Sequence, residues 1–205
     1  MFDNDPILWK EFIEGNQSSF KRLMQAHYQQ LFNYGTKFSP DRELIKDCIQ
    51  DFFLNLWAKR ETISQTVNVK AYLFSSLRRM LHRKVRSAAK YVAYETAEEQ
   101  TQHFNLQISV EQEVITNEGA KGLTKKIAAV LERLPDRQKE VIYLKFFQNM
   151  KREEIAAAMD INPQTVSNIL QMALKKIKDD LGHDFDPTLL FFILPFIVQK
   201  TIFKI

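Results

Sequence analysis

Apolar side chains recur at helical spacing from the start of the chain. Between residues 6 and 35 most of them are separated by three or four positions, the period of one face of an α-helix. They are Ile7, Leu8, Phe12, Phe20, Leu23, Met24, Leu31 and Phe32. Gly15 and Asn16 interrupt the pattern, so it predicts a short helix followed by a longer one, with Ser18 or Ser19 capping the second.

A further amphipathic helix is predicted after Ser39-Pro40, because serine is a good helix cap and proline suits the first helical position. It runs to about Lys59 and carries an apolar stripe. The stripe consists of Leu44, Ile45, Cys48, Ile49, Phe52, Phe53, Leu56 and Trp57. Residues 61–69 lack the helical period and predict a loop, and the period resumes in a helix over Val69–Lys90.

The second half of the chain also predicts helices. Residues 91–118 are polar, acidic and weakly periodic, which favours a loose linker. Helical segments are predicted at about 120–134, 136–147, 151–159 and 163–181, with a break at Leu134-Pro135-Asp136. Because no segment alternates with the period of a strand, the predicted fold is all-α, with two helical domains. The predicted boundaries are 1–90 for the first domain, 91–119 for the acidic linker, 120–182 for the second domain and 183–205 for a tail.

The tail, residues 183–205, is apolar. Thr188–Val198 is almost wholly apolar, but it is only eleven residues long and contains Pro195. A membrane-spanning helix needs about 20 such residues. A membrane span is therefore not favoured, and the open alternatives are contact with a membrane surface and docking onto this protein or a partner.

Residues 151–178 have the features of a helix-turn-helix. Small residues at 156–158, all alanine, would let a second helix cross the first closely. Asp160 tolerates the left-handed backbone that the turn needs, and Ile161 would fill the core beneath it. Asn162 and Pro163 would begin the second helix, as its cap and first residue.

The second helix of this motif has a buried and an exposed side. Its predicted buried stripe is Val166, Ile169, Leu170 and Ala173, and its exposed N-terminal residues are Gln164, Thr165, Ser167 and Asn168. In a helix-turn-helix this end enters the major groove of DNA. Amide side chains there form paired hydrogen bonds to adenine, whereas hydroxyls are less selective. An ordinary helical hairpin is the alternative interpretation.

Charge is distributed unevenly along the chain. The net charge of +4 is small for 205 residues, but residues 70–90 contain seven Lys or Arg and no Asp or Glu. Residues 91–120 contain six Glu and no Lys or Arg. Such a basic segment favours contact with nucleic acid.

The composition argues against an enzyme. The chain has five glycines and no glycine-rich phosphate loop, and its four histidines are scattered. Cys48 is the only cysteine, which excludes an internal disulfide and a cysteine-based zinc site. We expect no catalytic residues, no metal and no cofactor.

Two groups of residues resemble a known family. Leu134–Val141, Glu154-Ile155-Ala156 and Thr165-Val166 resemble region 4 of bacterial sigma factors, and Asp47–Trp57 resembles the polymerase-binding helix of region 2. Lys70–Phe74 and the arginines after it resemble the part of region 2 that opens the strands and contacts the −10 element. The order and spacing are similar to the extracytoplasmic-function (group 4) sigma factors.

The resemblance implies a function without catalysis. Such a protein binds core RNA polymerase through its β and β′ subunits, recognises promoter DNA, directs strand opening and acts in the cytoplasm. An anti-sigma factor is a further implied partner. The residues implied to contact polymerase are Gln50, Asp51, Phe53, Leu54 and Trp57. Those expected to contact DNA are Tyr72, Phe74, Arg78, Arg79, Arg83, Lys84, Arg86, Lys151, Arg152, Gln164, Thr165, Ser167, Asn168 and Lys175, with Lys176 as a further phosphate contact.

The chain departs from the family pattern at several positions. Arg79 stands where family members often have asparagine, and Ser167, Ile169 and Met172 stand where basic residues are frequent. These departures put the base contacts in question. Two other functions are therefore weighed, a stand-alone helix-turn-helix regulator and an interaction protein that uses its tail.

Overall fold

The computed structural model describes residues 5–65, 68–92, 104–106 and 118–182, with side chains except at 86–92, 118–121 and 123–124. These residues form helices and connecting turns, and no strand is found among them. The predicted all-α class is therefore confirmed. The helices belong to two compact units. The tail lies outside the described residues, and the predicted domain boundaries stay predictions.

Four α-helices form the first unit. They are α1 (Asp5–Ile13), α2 (Gln17–Gly35), α3 (Arg42–Ala58) and α4 (Val69–Val92), with a single 3₁₀ turn, Arg60–Thr62, after α3. The predicted break between α1 and α2 is confirmed. Gly15 adopts a φ of 92° there, a conformation that glycine reaches without strain.

Two predicted helix caps are wrong. Asn16 caps α2 in place of Ser18 or Ser19, since its side-chain oxygen accepts from the backbone N–H of Ser19 at 3.1 Å. Asp41 caps α3 in place of Ser39. Its carboxylate accepts hydrogen bonds from two backbone N–H groups of the first turn at 3.0 Å each. The single hydroxyl of a serine cap would satisfy fewer of these groups. Pro40 consequently lies before the helix.

An aromatic cluster connects the helices of the first unit. Phe12 of α1 stacks on Phe20 of α2 with ring centroids 5.2 Å apart, and Phe20 lies 5.0 Å from Trp57 of α3. The indole N–H of Trp9 donates to the carbonyl oxygen of Ser64 at 3.2 Å. The cluster therefore fixes α1 to α2 and α3, and the Trp9 hydrogen bond ties the loop after α3 to α1.

The four remaining described helices lie in the second half of the chain. They are α5 (Glu118–Glu132), α6 (Asp136–Ile142), α7 (Arg152–Met159) and α8 (Pro163–Leu181), and α6 continues into a π-helical turn, Tyr143–Phe147. These bounds confirm the predicted helices. Both α5 and α6 pack against α8, whose buried side contains Val166, Ile169 and Ala173. Leu170, predicted to be buried, is only half-buried.

Part of the predicted loose linker is packed into the second unit. Phe104 and Leu106 are buried, and the ring of Phe104 lies edge-on to Tyr143 with centroids 5.8 Å apart. Burial raises the pKa of the Tyr143 phenol, whose oxygen accepts a hydrogen bond from the Gln148 amide at 3.0 Å. The prediction of a loose segment is wrong at these positions, because two apolar side chains anchor it.

Candidate nucleic-acid interface

The helix α4 presents a basic surface. Asn68 precedes it, and its side-chain oxygen accepts from the backbone N–H of Ala71 at 2.9 Å, which fixes the first turn. Arg79 and Arg83 are exposed one turn apart, and Arg78 is half-buried. The side chain of Arg86 lies outside the described part of the chain. The exposed pair therefore forms the described part of the predicted DNA-binding row.

A pocket of about 450 Å³ lies between α3 and α4, beside this basic surface. It is lined by Phe52, Asn55, Leu56, Lys59, Ile63, Tyr72, Ser76, Arg79, Met80 and Arg83. An aromatic ring, two guanidinium groups and an amide thus surround one ligand-sized cleft. We call it the α3–α4 pocket.

The pocket contains three residues from the list expected to contact DNA: Tyr72, Arg79 and Arg83. Its α3 wall, with Asn55 and Lys59, was not predicted, because the sequence assigned neither residue to a contact surface. The spacing of Asn55 and Lys59 was a weak signal for a shared surface, since the two residues lie one turn apart on the same side at the end of α3.

Phe74 does not reach this surface. It is fully buried, and its ring lies 5.0 Å from that of Tyr34 on α2. The expectation that Phe74 contacts DNA is therefore corrected: its ring belongs to the core, and Tyr72 is the aromatic residue available at the pocket.

An apolar groove of about 670 Å³ lies between α2 and α3. Of the five residues implied to contact polymerase, four line it: Gln50, Phe53, Leu54 and Trp57. Leu54 is 63% exposed and extends the apolar lining of the groove to the surface. Phe53 is almost fully buried and forms the floor of the groove. We call this the α2–α3 groove.

The groove also has a wall that the sequence analysis missed. Phe20, Met24 and Tyr28 of α2 line its opposite side. Phe20 and Met24 were counted in the apolar pattern of the predicted helix, whereas Tyr28, four positions after Met24, was not. Tyr28 remains 37% exposed, and this exposure distinguishes the groove wall from the core of the unit.

Asp51, the fifth of these residues, points away from the groove and toward α4. Its carboxylate accepts a hydrogen bond from the Lys84 ammonium at 2.8 Å, and this bond raises the pKa of Lys84. Asp51 was expected to contact polymerase and Lys84 to contact DNA. The structure pairs the two within the first unit, on its partly exposed surface, and both expected contacts stay predictions.

The turn of the helix-turn-helix has the predicted conformation. Asp160 adopts a left-handed backbone with a φ of 55°. The side-chain oxygen of Asn162 accepts from the Gln164 backbone N–H at 2.8 Å, and Pro163 is the first residue of α8. These features confirm the predicted start of the recognition helix, and Ile161 is half-buried beside it.

The exposed face of α8 is dominated by two amides. Gln164 and Asn168 are exposed, and the Gln164 Nε2 donates to Asn168 Oδ1 at 3.1 Å. Thr165 is half-buried. Ser167 is also half-buried, and its hydroxyl donates to the backbone carbonyl of Pro163 at 3.4 Å. Of the four predicted base-contacting residues, the amides are therefore the accessible pair.

The basic residues around the motif differ in their contacts. Lys151 and Lys175 are exposed. Arg152 pairs with Glu153 at 2.8 Å in an exposed ion pair, which is readily exchanged for another partner. The Lys176 ammonium donates to the backbone carbonyl of Arg133 at 3.2 Å, so it helps to close the end of α5.

The described ranges contain neither a metal site nor a membrane-spanning helix. No group of three or more His, Cys, Asp or Glu side chains in those ranges is placed to hold a metal ion. None of the described helices has the length and apolar character that crossing a membrane requires. Cys48 is buried, and burial raises the pKa of its thiol.

Two family descriptions match the chain. The description "Sigma-70 region 2" matches residues 23–91, and "Sigma-70, region 4" matches residues 124–177. The first match covers α3, α4 and most of α2, and the second covers most of α5 together with α6 to α8. No curated protein sequence matches the chain.

Two solved structures are similar in fold. The structure of CnrH in complex with the cytosolic domain of CnrY is 20% identical, covers 89% of this chain and 100% of that chain, and has a TM-score of 0.58. The sigma factor RpoE in complex with the anti-sigma factor NepR, from Bartonella quintana, is 20% identical, covers 81% of this chain and 98% of that chain, and also has a TM-score of 0.58.

Proposed function

The chain belongs to the sigma-70 family, and we propose that it directs RNA polymerase to promoters through three of the surfaces described above. It is a sigma factor with the two-region layout of the extracytoplasmic-function group, since only residues 92–123 separate its two matched regions. Sigma factors bind core RNA polymerase and promoter DNA and direct the initiation of transcription.

Core polymerase would bind at the α2–α3 groove. Leu54 and the half-buried Trp57 offer apolar area at its rim, and Gln50 offers an exposed amide. Apolar anchors with a polar neighbour are typical of surfaces that carry most of the binding energy. Phe53 supports the groove from below, so its removal would change the shape of the surface.

The single observation that carries the proposal is the α3–α4 pocket. It brings Tyr72, Arg79 and Arg83 together beside the exposed basic surface of the first unit. Aromatic stacking holds an unpaired base, and arginines hold the adjoining phosphates. We place the opened −10 strand here, with one base in the pocket.

The second unit would hold the −35 element. The N-terminal half of α8 would enter the major groove, and the exposed Lys151, Arg152 and Lys175 would contact phosphates. The protein contributes binding and orientation to initiation, and it carries out no chemistry of its own. Because core polymerase is cytoplasmic, we place the protein in the cytoplasm.

An inhibitory protein partner is also proposed. The structural relative RpoE is described in a complex with an anti-sigma factor. The exposed apolar rim of the α2–α3 groove on this chain, around Leu54, would suit such a partner as well as polymerase. Competition for one surface would then keep the protein from polymerase.

Arg79→Ala tests the proposed −10 site. Removing one guanidinium from the pocket should lower the yield of open complex, and it should reduce the salt slope of promoter binding by about one. Permanganate reactivity of −10 thymines, measured with reconstituted holoenzyme, reports the opened strand. Arg22→Ala is the matched control, since Arg22 is exposed on α2 and does not line the pocket. Equal reactivity for wild type and Arg79→Ala would remove this helix from strand opening.

A further inference from the structure

The amide of Gln164 is held in one orientation. Its Nε2 donates to Asn168 Oδ1 one turn later, at 3.1 Å, and both side chains are otherwise exposed. This hydrogen bond uses one of the two N–H groups of Gln164. The exposed amide also has a second N–H and the carbonyl Oε1, the donor and acceptor that a paired contact needs.

This arrangement of donor and acceptor matches one base. In the major groove adenine presents an amino donor at N6 beside an acceptor at N7, whereas guanine presents two acceptors. The Gln164 carbonyl can accept from N6 while its free N–H donates to N7. If the base were guanine, the same carbonyl would face the O6 oxygen, and two acceptors form no hydrogen bond.

Neighbouring residues on α8 do not supply a guanine-specific group. Residues 163–174 contain no Arg or Lys, and Lys175 is the first cation of the helix. The hydroxyl of Ser167 is bonded within the helix, to the Pro163 carbonyl. The amide pair is therefore the polar group that stands at the N-terminal end of α8.

We propose that Gln164 recognises an adenine of the −35 element and that Asn168 is the positioning residue that orients its amide. The proposal rests on the proposed function, in which α8 lies in the major groove. The expected preference for adenine over guanine at one position is about tenfold or more, the discrimination that a good paired contact gives.

The test is transcription by core polymerase with the full-length protein, on a promoter library with a randomised −35 element, followed by sequencing of the transcribed templates. Wild type should enrich adenine at one position. Gln164→Arg should move the preference at that position to guanine, and Gln164→Glu should move it to cytosine, whose amino group a carboxylate accepts from. Gln25→Arg and Gln25→Glu make the same charge changes at an exposed site on α2 and should leave the preference unchanged.

Asn168 is tested with two variants. Asn168→Ala removes the acceptor and should weaken the adenine preference several-fold without redirecting it, whereas Asn168→Asp keeps an acceptor and should keep the preference. The added charge of Asp weakens binding to every sequence alike, so it cancels in the ratio of bases.

Two outcomes overturn the proposal, and they are distinguishable. If initiation depends on the protein but the Gln164 variants select the same bases as wild type, base recognition by Gln164 is wrong and the sigma function stands. If the protein does not stimulate initiation at all, the proposed function fails and this inference fails with it.

Discussion

His27 is fully buried on α2, and its Nε2 lies 2.9 Å from a carboxylate oxygen of Asp5 on α1. Burial lowers the pKa of His27 below its ordinary value of 6.5, and the positive charge of Lys70 on α4 acts in the same direction. Asp5 opposes both by favouring the protonated ring. Protonation of His27 is therefore less favourable in the folded chain than in the unfolded chain.

The stability of the first unit should depend on pH through His27. Because its folded pKa is lowered, stability is greatest above about pH 6.5 and falls as the pH drops through the folded pKa. His27→Gln should reduce this fall. Urea midpoints at about pH 7.5 and about pH 5.5 measure it, with fluorescence as the signal, because both tryptophans, Trp9 and Trp57, lie in this unit. An equal fall in variant and wild type would contradict the assignment.

The backbone conformation at the turn of the helix-turn-helix was predictable from the sequence. The position of the residues expected to contact DNA was less so. Asp160 and Asn162 were identified because a left-handed turn and a helix cap each depend on a few adjacent residues. Phe74 was misplaced because its neighbour, Tyr34, is forty positions earlier in the sequence. The spacing within one helix does not reveal which of its sides another helix covers.

Between helices, the end of α2 lies in close contact with α3. Gly35 is buried there, and a Cβ atom at this position would lie 2.5 Å from Ile45 Cγ2. Gly122 on α5 provides the contrast, because a Cβ atom there meets nothing within 4 Å. The same substitution should therefore have opposite effects at the two glycines.

Gly35→Ala should destabilise the first unit by about 1 to 3 kcal/mol, because the added methyl group overpacks the α2–α3 contact. Gly122→Ala should stabilise α5 by about 0.5 to 1 kcal/mol, because alanine suits a helix interior better than glycine. Urea unfolding followed by tryptophan fluorescence reports the first change, and circular dichroism reports both. A Gly35→Ala variant as stable as wild type would show that the helices separate easily at this point.

The helices were predicted more accurately than the surfaces that they form. Helical period, breaks at Gly15 and Pro135, and the Asn162-Pro163 start gave the order of all eight described helices. The α2–α3 groove and the α3–α4 pocket each need residues from two helices, and only one wall of each was identified. Pairing such as Asp51 with Lys84 was also not visible, because 33 positions separate the two residues.

At the scale of the whole molecule, the interpretation depended on the distribution of charge and on the order of the sequence segments along the chain. A polar, acidic segment was predicted to link two helical domains, and the structure forms two units. The composition did not predict the burial of Phe104 and Leu106. These two apolar residues lie within a polar stretch and are packed into the second unit. Average polarity over a segment does not exclude such an anchor.

The two units have separate proposed tasks, with polymerase and the −10 strand on the first and the −35 element on the second. A sigma factor of this kind is expected to act only with core polymerase, because the DNA contacts proposed for it are divided between the two units. A stand-alone regulator, in contrast, binds its operator unaided. This difference separates the two functions that the helix-turn-helix alone left open.

Run-off transcription tests the central claim most directly. Purified core polymerase is given bacterial promoter DNA with and without this protein, and the protein alone is assayed for binding to the same duplex. Specific transcripts that appear only when the protein is added, together with weak duplex binding by the protein alone, are the predicted result. No transcript in either reaction, together with tight duplex binding by the protein alone, would contradict the account and indicate a stand-alone regulator.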